Sequence, residues 1–195
     1  MHFIDYFDQT KILREYITDQ ELYDKIIKRY ENRKNNEKLF FMGITMQNHG
    51  GYTETYDNFP ENYYKVGRSY TDANQYLSLV HESDEAVKNL ISYFSKVDDP
   101  VEIIFFGDHQ PSLNSNFYPI LNGKGLTGLT EDELEKLYTV PFFIWTNYDT
   151  PEETVDITSL DYLSTMALER AGIELPAYNK FLADMQEVVP AINSR

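Results

Sequence analysis

Cysteine is absent from the 195 residues. That excludes a disulfide framework, thiol catalysis and thiolate zinc sites. No apolar run approaches the roughly 18 residues of a membrane-crossing helix. The longest such runs, Leu39–Met46, Val101–Phe106 and Val140–Trp145, have the length of strands. The N-terminus lacks a basic region followed by an apolar stretch, so it does not read as a signal peptide. There is no internal repeat, no low-complexity tract and no Pro/Ser/Gly-rich linker, and one domain is expected. Basic residues are the scarcer charge: 17 Lys and Arg stand against 32 Asp and Glu, a net charge of −15. Such a chain repels polyphosphate, so general nucleic-acid binding is excluded. Anionic lipid surfaces repel it too unless a metal or a local basic group intervenes.

The residues that are present describe a globular protein. Hydrophobic residues make up 42% and aromatics 15%, enough for a core without staples. Leu22, Tyr23, Ile26, Ile27 and Tyr30 keep a helical spacing, and Thr18 with Glu21 fits a capping box, which predicts a helix over 19–34. The spacing of Ala73, Tyr76, Leu77, Val80, Val87, Leu90, Ile91, Phe94 and Val97 predicts a helix over 72–97, weakening near Ser83. Thr130 with Glu133 starts a short helix at 131–137. Leu160, Leu163, Ala167, Leu168 and Ala171 form the inward side of a helix at 159–171 that Gly172 ends, and Asn179–Val188 closes the chain as a last helix. The three apolar runs read as buried strands. Strands alternating with helices predict an α/β fold with a parallel sheet and helices on both faces. Ligands of such sheets collect beyond the carboxyl ends of the strands.

Two of the expected strands end in a histidine-bearing turn. Val101–Phe106 runs into Gly107-Asp108-His109-Gln110-Pro111, and Leu39–Met46 into Gln47-Asn48-His49-Gly50-Gly51. Asp108 and His109 together offer carboxylate oxygen and imidazole nitrogen, a donor set suited to Mn²⁺ or Zn²⁺. The bland alternative is a turn-capping aspartate beside a surface histidine. His49 precedes two glycines whose amides can face an anion, so it reads as a phosphoryl contact or a proton donor to a leaving alkoxide. Its bland alternative is a turn histidine bonded to backbone. Gly123–Gly128 spells a dinucleotide fingerprint, but no strand leads directly into it and Glu131, Asp132 and Glu133 follow, so it reads as a plain loop. His81 reads as a half-exposed helix residue, Trp145 as core packing, and Tyr52–Tyr70 as packing with some capacity to line a groove. His2 lies too near the terminus to be informative.

Taken together, Phe40–Tyr52, Tyr76–Asp84 and Phe105–Pro111 resemble the lipoteichoic acid synthase family, in the sulfatase-like branch of the alkaline phosphatase superfamily. The resemblance runs from about residue 15 to about residue 190. It implies an alkaline-phosphatase-like three-layer α/β sandwich with a mostly parallel sheet, of which residues 1–195 form the C-terminal part. It also implies transfer of a phosphoglycerol-type group from a phospholipid headgroup to a glycerol-phosphate-type acceptor, through a covalent threonine. One Mn²⁺ or Mg²⁺ serves that chemistry in the complete domain, and in this chain alone its site is expected to be empty or weakly filled. Asp108 and His109 map onto two of its ligands, and His49 onto the histidine that contacts substrate phosphate. The family places its nucleophilic threonine and a glutamate ligand well upstream of the position of His49. About 40 residues precede that element here and contain no counterpart, so no catalytic nucleophile is expected in this chain. The nucleophile, the opening strands and an N-terminal membrane anchor are expected outside it, with the whole on the extracellular face of a bacterial cell membrane. Competing expectations are a hydrolase of sulfate esters or phosphodiesters in the same superfamily, and a non-catalytic α/β binding module.

Overall fold

The computed structural model describes residues 4–59 and 70–192. A single turn of 3-10 helix at Ile4–Tyr6 precedes two-residue strands β1 (Ile12–Leu13) and β2 (Tyr16–Ile17). Helices α1 (Asp19–Glu31) and α2 (Thr71–Phe94) follow, then β3 (Glu102–Phe106) and the short helices α3 (Tyr118–Asn122) and α4 (Glu131–Glu135). Strand β4 (Phe142–Thr146) and helices α5 (Leu160–Arg170) and α6 (Ala177–Val188) complete the order. Where one domain is expected, the chain forms two compact units interleaved in sequence. The first is Met1–Lys96 with Asp108–Val140, and the second is Val97–Gly107 with Pro141–Arg195.

The expected helices form, and their caps explain their ends. The Thr18 hydroxyl accepts from the Glu21 amide at 3.1 Å, so one orphan amide of α1 is satisfied. The reciprocal half of that box is missing. Glu21 instead accepts from the Asp8 amide and pairs with Lys25. Both halves are present at α4, between Thr130 and Glu133. Gly172, at φ +66°, supplies the left-handed residue beyond α5. The buried side of α5 is Tyr162, Leu163, Thr165 and Ala167, while Leu160 and Ala171 are exposed, contrary to the expected stripe.

The sheet departs from expectation in two ways. First, β3 and β4 pair antiparallel, with Phe106 opposite Phe142 and Glu102 opposite Thr146. The chain returns to the edge that it left, so no right-handed crossover joins them. Among the described residues the strand pairs are β1–β2 and β3–β4, both antiparallel. Second, Leu39–Met46 is neither a strand nor buried. Phe40, Met42 and Ile44 are 90%, 75% and 76% exposed. An apolar run becomes a strand only where neighbouring strands take its amides and carbonyls, and no described strand pairs with this one. It runs past α1 instead. A Cβ placed on Gly43 would meet Leu22 Cδ2 at 2.9 Å, so glycine permits that passage.

In the first unit α1 packs on α2, with Tyr30 set edge-on against Tyr93 and Phe94. Its core gathers Tyr52, Phe59 and Leu79, flanked by Leu13, Tyr56, Tyr76 and Leu113. In the second unit Phe105 and Phe143 stack across the β3–β4 ladder at 5.3 Å, and α5 packs on α6. There the buried Tyr162 hydroxyl donates to the Val189 carbonyl at 2.8 Å.

Candidate functional site

The Gln47–Gly51 turn belongs to the first unit, and a buried polar network shapes it. The Asp19 amide donates to Gln47 Oε1 at 3.0 Å. Gln47 Nε2 and Asn48 Nδ2 both donate to the Ser83 hydroxyl of α2, at 3.1 and 2.9 Å. Ser83 in turn donates to Asp19 Oδ2 at 2.5 Å. The other Asp19 oxygen is buried without a hydrogen-bond partner. Burial pushes this carboxyl above the usual carboxylate range, and the Ser83 and Thr45 hydroxyls only partly offset that.

Arg14 closes the network from the opposite side. Only 4% of it is exposed. Its Nη2 donates to the carbonyls of Gln47 at 2.8 Å and His49 at 2.6 Å. The guanidinium lies between 5.5 and 5.9 Å from the ring centroids of Tyr16, Tyr52 and Tyr56. Tyr16 reaches the histidine itself, with its hydroxyl 3.2 Å from His49 Nδ1. Tyr52 donates to the Asn48 carbonyl at 2.7 Å. Burial first, then the neighbouring Tyr76, raises the Tyr52 phenol to about 12, and the charge of Asp108 adds to that rise. Asp108 therefore lies within electrostatic reach of the ring that braces the residue before His49.

Asp108 and His109 are exposed neighbours in this same unit. Asp108 Oδ1 accepts from the His109 amide at 2.9 Å. His109 Nδ1 lies 2.9 Å from the Gln110 carbonyl, which can only accept, so this nitrogen carries the proton. Nε2 lies 3.5 Å from Asp108 Oδ2, and it holds a lone pair when the ring is neutral. The Gln110 side chain donates to the Thr139 carbonyl and anchors the turn. Among the described residues no group of three or more His, Asp or Glu side chains is placed to hold a metal ion.

The other readings sort as follows. The Gly123–Gly128 segment is a loop. Lys124 Nζ donates to the Gly128 carbonyl at 3.1 Å and pairs with Glu133 at 2.7 Å, so its one cation is turned onto the loop and α4. That lysine and the Thr130 amide hold the Glu133 carboxyl down to about 2. His81 is half-buried on α2, and Trp145 is half-buried on β4 opposite Ile103. Tyr52 and Phe59 pack into the core, while residues 60–69 of the aromatic stretch, and His2, lie outside the described residues. Sequence reasoning missed Arg14, Tyr16 and Asp19 altogether.

The sulfatase family profile matches residues 2–173. The chain belongs to the sulfatase family. It is 27% identical over 180 residues to a Rhizobium meliloti (strain 1021) protein named for cyclic beta-1,2-glucan modification, covering 88% of this chain and 28% of that protein. It is 33% identical over 100 residues to the capsular polysaccharide biosynthesis protein RkpI of the same organism, covering 51% of this chain and 17% of RkpI. The chain thus spans less than a third of the length of these relatives. Its fold matches Streptococcus pyogenes phosphoglycerol transferase GacH, solved with sn-glycerol-1-phosphate, at a TM-score of 0.65 and 19% identity, over 87% of this chain and 41% of that one. The fold is therefore that of part of an alkaline-phosphatase-like α/β domain, in a superfamily of enzymes. No helix among the described residues is long and apolar enough to cross a membrane.

Proposed function

We propose that this chain is part of a metal-dependent transferase that moves a phosphoglycerol-type group from a lipid headgroup, in cell-envelope polymer synthesis on the outer face of a bacterial membrane. The observation that carries the reading is the pairing of a carboxylate oxygen and a bare imidazole nitrogen 3.5 Å apart in the Asp108-His109 turn. Two atoms that each bind one ion at about 2.1 Å stand roughly 3.0–3.4 Å apart, so the pair fits one divalent ion with little adjustment. The Gln110 carbonyl on Nδ1 is the kind of outer contact that aims a metal-binding histidine. Mn²⁺ or Mg²⁺ suits this oxygen-bearing set, and a bound ion would supply Lewis acidity toward a phosphoryl oxygen.

The chain's own residues divide the remaining work. Asp108 and His109 hold the ion, with other ligands completing its shell. His49 contacts the non-bridging phosphoryl oxygens. Neither role provides a nucleophile, so the chain alone is expected to turn over little or no phosphoester. The names of GacH and RkpI support the phosphoglycerol and envelope-polymer readings.

The test is calorimetric titration of sn-glycerol-1-phosphate into the chain with and without Mn²⁺. The expected result is binding that requires Mn²⁺, is lost in Asp108→Ala and His109→Ala, and weakens in His49→Ala. Binding that survives all three substitutions overturns the site. Inorganic sulfate competing as well as the phosphate ester would overturn the phosphoester preference in favour of sulfate-ester chemistry.

A further inference from the structure

Arg14 occupies a position where its own residue type is costly. It is the first of two residues joining β1 to β2, and its φ is +54°. A two-residue hairpin with positive φ at its first central position ordinarily carries glycine there. A side chain in that conformation is disfavoured, and persists where its surroundings over-determine it. Here the surroundings are the Gln47 and His49 carbonyls, three tyrosine rings, and Asn58, whose side-chain Nδ2 donates to the Arg14 carbonyl at 3.1 Å. Among the described residues the guanidinium forms no ion pair with a carboxylate, and its Nε is buried without a partner. A core brace could be built more cheaply from apolar residues. What the arginine adds is two charge-assisted hydrogen bonds placed on the backbone of the histidine turn.

The hairpin also delivers Tyr16, two residues later, to the His49 ring. A phenol O–H is a more acidic donor than a neutral imidazole N–H, and an imidazole nitrogen is a better acceptor than a phenol oxygen. The shared bond is therefore O–H···N, with the tyrosine donating to Nδ1. That fixes the proton of the neutral ring on Nε2, the opposite nitrogen. The two contacts act on different parts of one residue: Arg14 holds the backbone of His49 and Tyr16 sets its tautomer.

We propose that Arg14 and Tyr16 are positioning residues for His49, which together present its Nε2–H as a hydrogen-bond donor to an anionic oxygen. The inference rests on the phosphoryl-contact reading of His49 for its purpose. It sharpens that reading, since His49 then meets substrate as a donor and not as a base. The charge of Arg14 acts in the same direction. With no carboxylate pairing it among the described residues, this guanidinium raises the potential at the turn, in a chain whose net charge of −15 would otherwise repel phosphate.

The experiment is ¹H–¹⁵N NMR of the histidine rings of the full chain, with His49 assigned by His49→Gln, together with amide hydrogen exchange. Neither metal nor phosphate is added, so failure of ligand binding is a separate result. In the wild type the neutral His49 ring should carry its proton on Nε2. Tyr16→Phe should turn this into a mixture of tautomers while the His81 and His109 signals stay in place. Arg14→Gly, which suits the turn conformation but lacks the guanidinium, should speed exchange of the His49 amide about tenfold or more, and Arg14→Lys should recover part of the protection. The Leu79 amide of α2 should be unaffected. An unchanged His49 tautomer in Tyr16→Phe overturns the proposal, whether or not the Arg14 variants fold. Unchanged His49 exchange in a folded Arg14→Gly overturns it equally.

Discussion

The two units of this chain solve the same packing problem with different materials. In the second unit regular elements do most of the work: a five-residue ladder between β3 and β4, and α5 packed on α6. Its polar side chains tie loops to those elements. Asn147 is the clearest case, accepting from the Val101 amide and donating to the Val97 and Asp99 carbonyls. In the first unit the Gln47–Gly51 turn lies outside any helix or strand. It is held by Arg14, Asp19, Gln47 and Ser83, side chains drawn from a hairpin, a helix start, the turn itself and the middle of α2. All three candidate site residues, His49, Asp108 and His109, are in that unit. Irregular backbone held by side-chain hydrogen bonds can aim a functional group where a helix or strand cannot, and it depends on each member of the network.

Core truncation should have the largest effect and should separate the units. Leu79→Ala removes a fully buried side chain beside Tyr52 and Phe59 and should cost about 2–5 kcal/mol. Amide exchange should then speed up around the histidine turn while the β3–β4 ladder keeps its protection. Equal loss in both would mean that the chain opens as one cooperative body and that the contrast between its units has no energetic content.

Next in size are the polar keystones. Gln47→Ala strips the Asp19 amide and Ser83 of a partner, and Asn147→Ala strips three backbone groups. Each should cost about 1–3 kcal/mol by denaturant unfolding. The comparison lies in the second readout. Gln47→Ala should move the His49 ring resonances, and Asn147→Ala should leave them in place.

A smaller effect concerns Asp19. Burial raises its folded pKa above the ordinary 3.8, so the folded state holds this proton to higher pH than the unfolded state. Stability from this group is therefore lost as pH rises from about 3.8 through the folded pKa. Asp19→Asn keeps an acceptor for Ser83 and removes the titration, so the variant should lose less stability than the wild type over that interval. A parallel pH dependence in the two proteins would show that Asp19 titrates normally.

The smallest effect is at Glu133, where the sign is reversed. Its carboxyl is held at about 2, so its contribution is present above about 4.5 and lost as pH falls toward about 2. Lys124→Met should therefore lower stability slightly at neutral pH and flatten the acid limb, the two proteins converging near pH 2 and the effect staying small because the pair is largely solvated.

Much of this molecule could be read from its residues. The helical spacing of α1, α2 and α5, the Thr130–Glu133 box and the glycine after α5 are local signals, and local physics decides them. The strand at Leu39–Met46 failed because its signal is not local. Apolar composition makes a segment capable of pairing, and pairing needs another strand. The antiparallel order of β3 and β4 was hidden for a similar reason, since strand direction depends on where a 35-residue connection returns (Gly107 to Pro141). The weak stretch near Ser83 was visible as a break in the apolar stripe, but only the structure shows that the serine is buried and holds the turn. Arg14 left no usable trace. An arginine at a position that ordinarily takes glycine gives no turn signal, and its partners lie 33 and 35 residues away. Asp108, His109 and His49 stand out as candidates because glycine and polar residues after an apolar run mark turns at which backbone can meet a ligand.

The central claim is that Asp108, His109 and His49 serve one site on the first unit. Paramagnetic broadening by Mn²⁺ tests it most directly, followed on the assigned histidine ring signals of the full chain with Mg²⁺ as the diamagnetic control. The account predicts that Mn²⁺ broadens both His109 and His49, leaves His81 sharper than either, and loses both effects together in Asp108→Ala. Broadening of His109 while His49 stays sharp, or broadening that persists unchanged in Asp108→Ala, would contradict it.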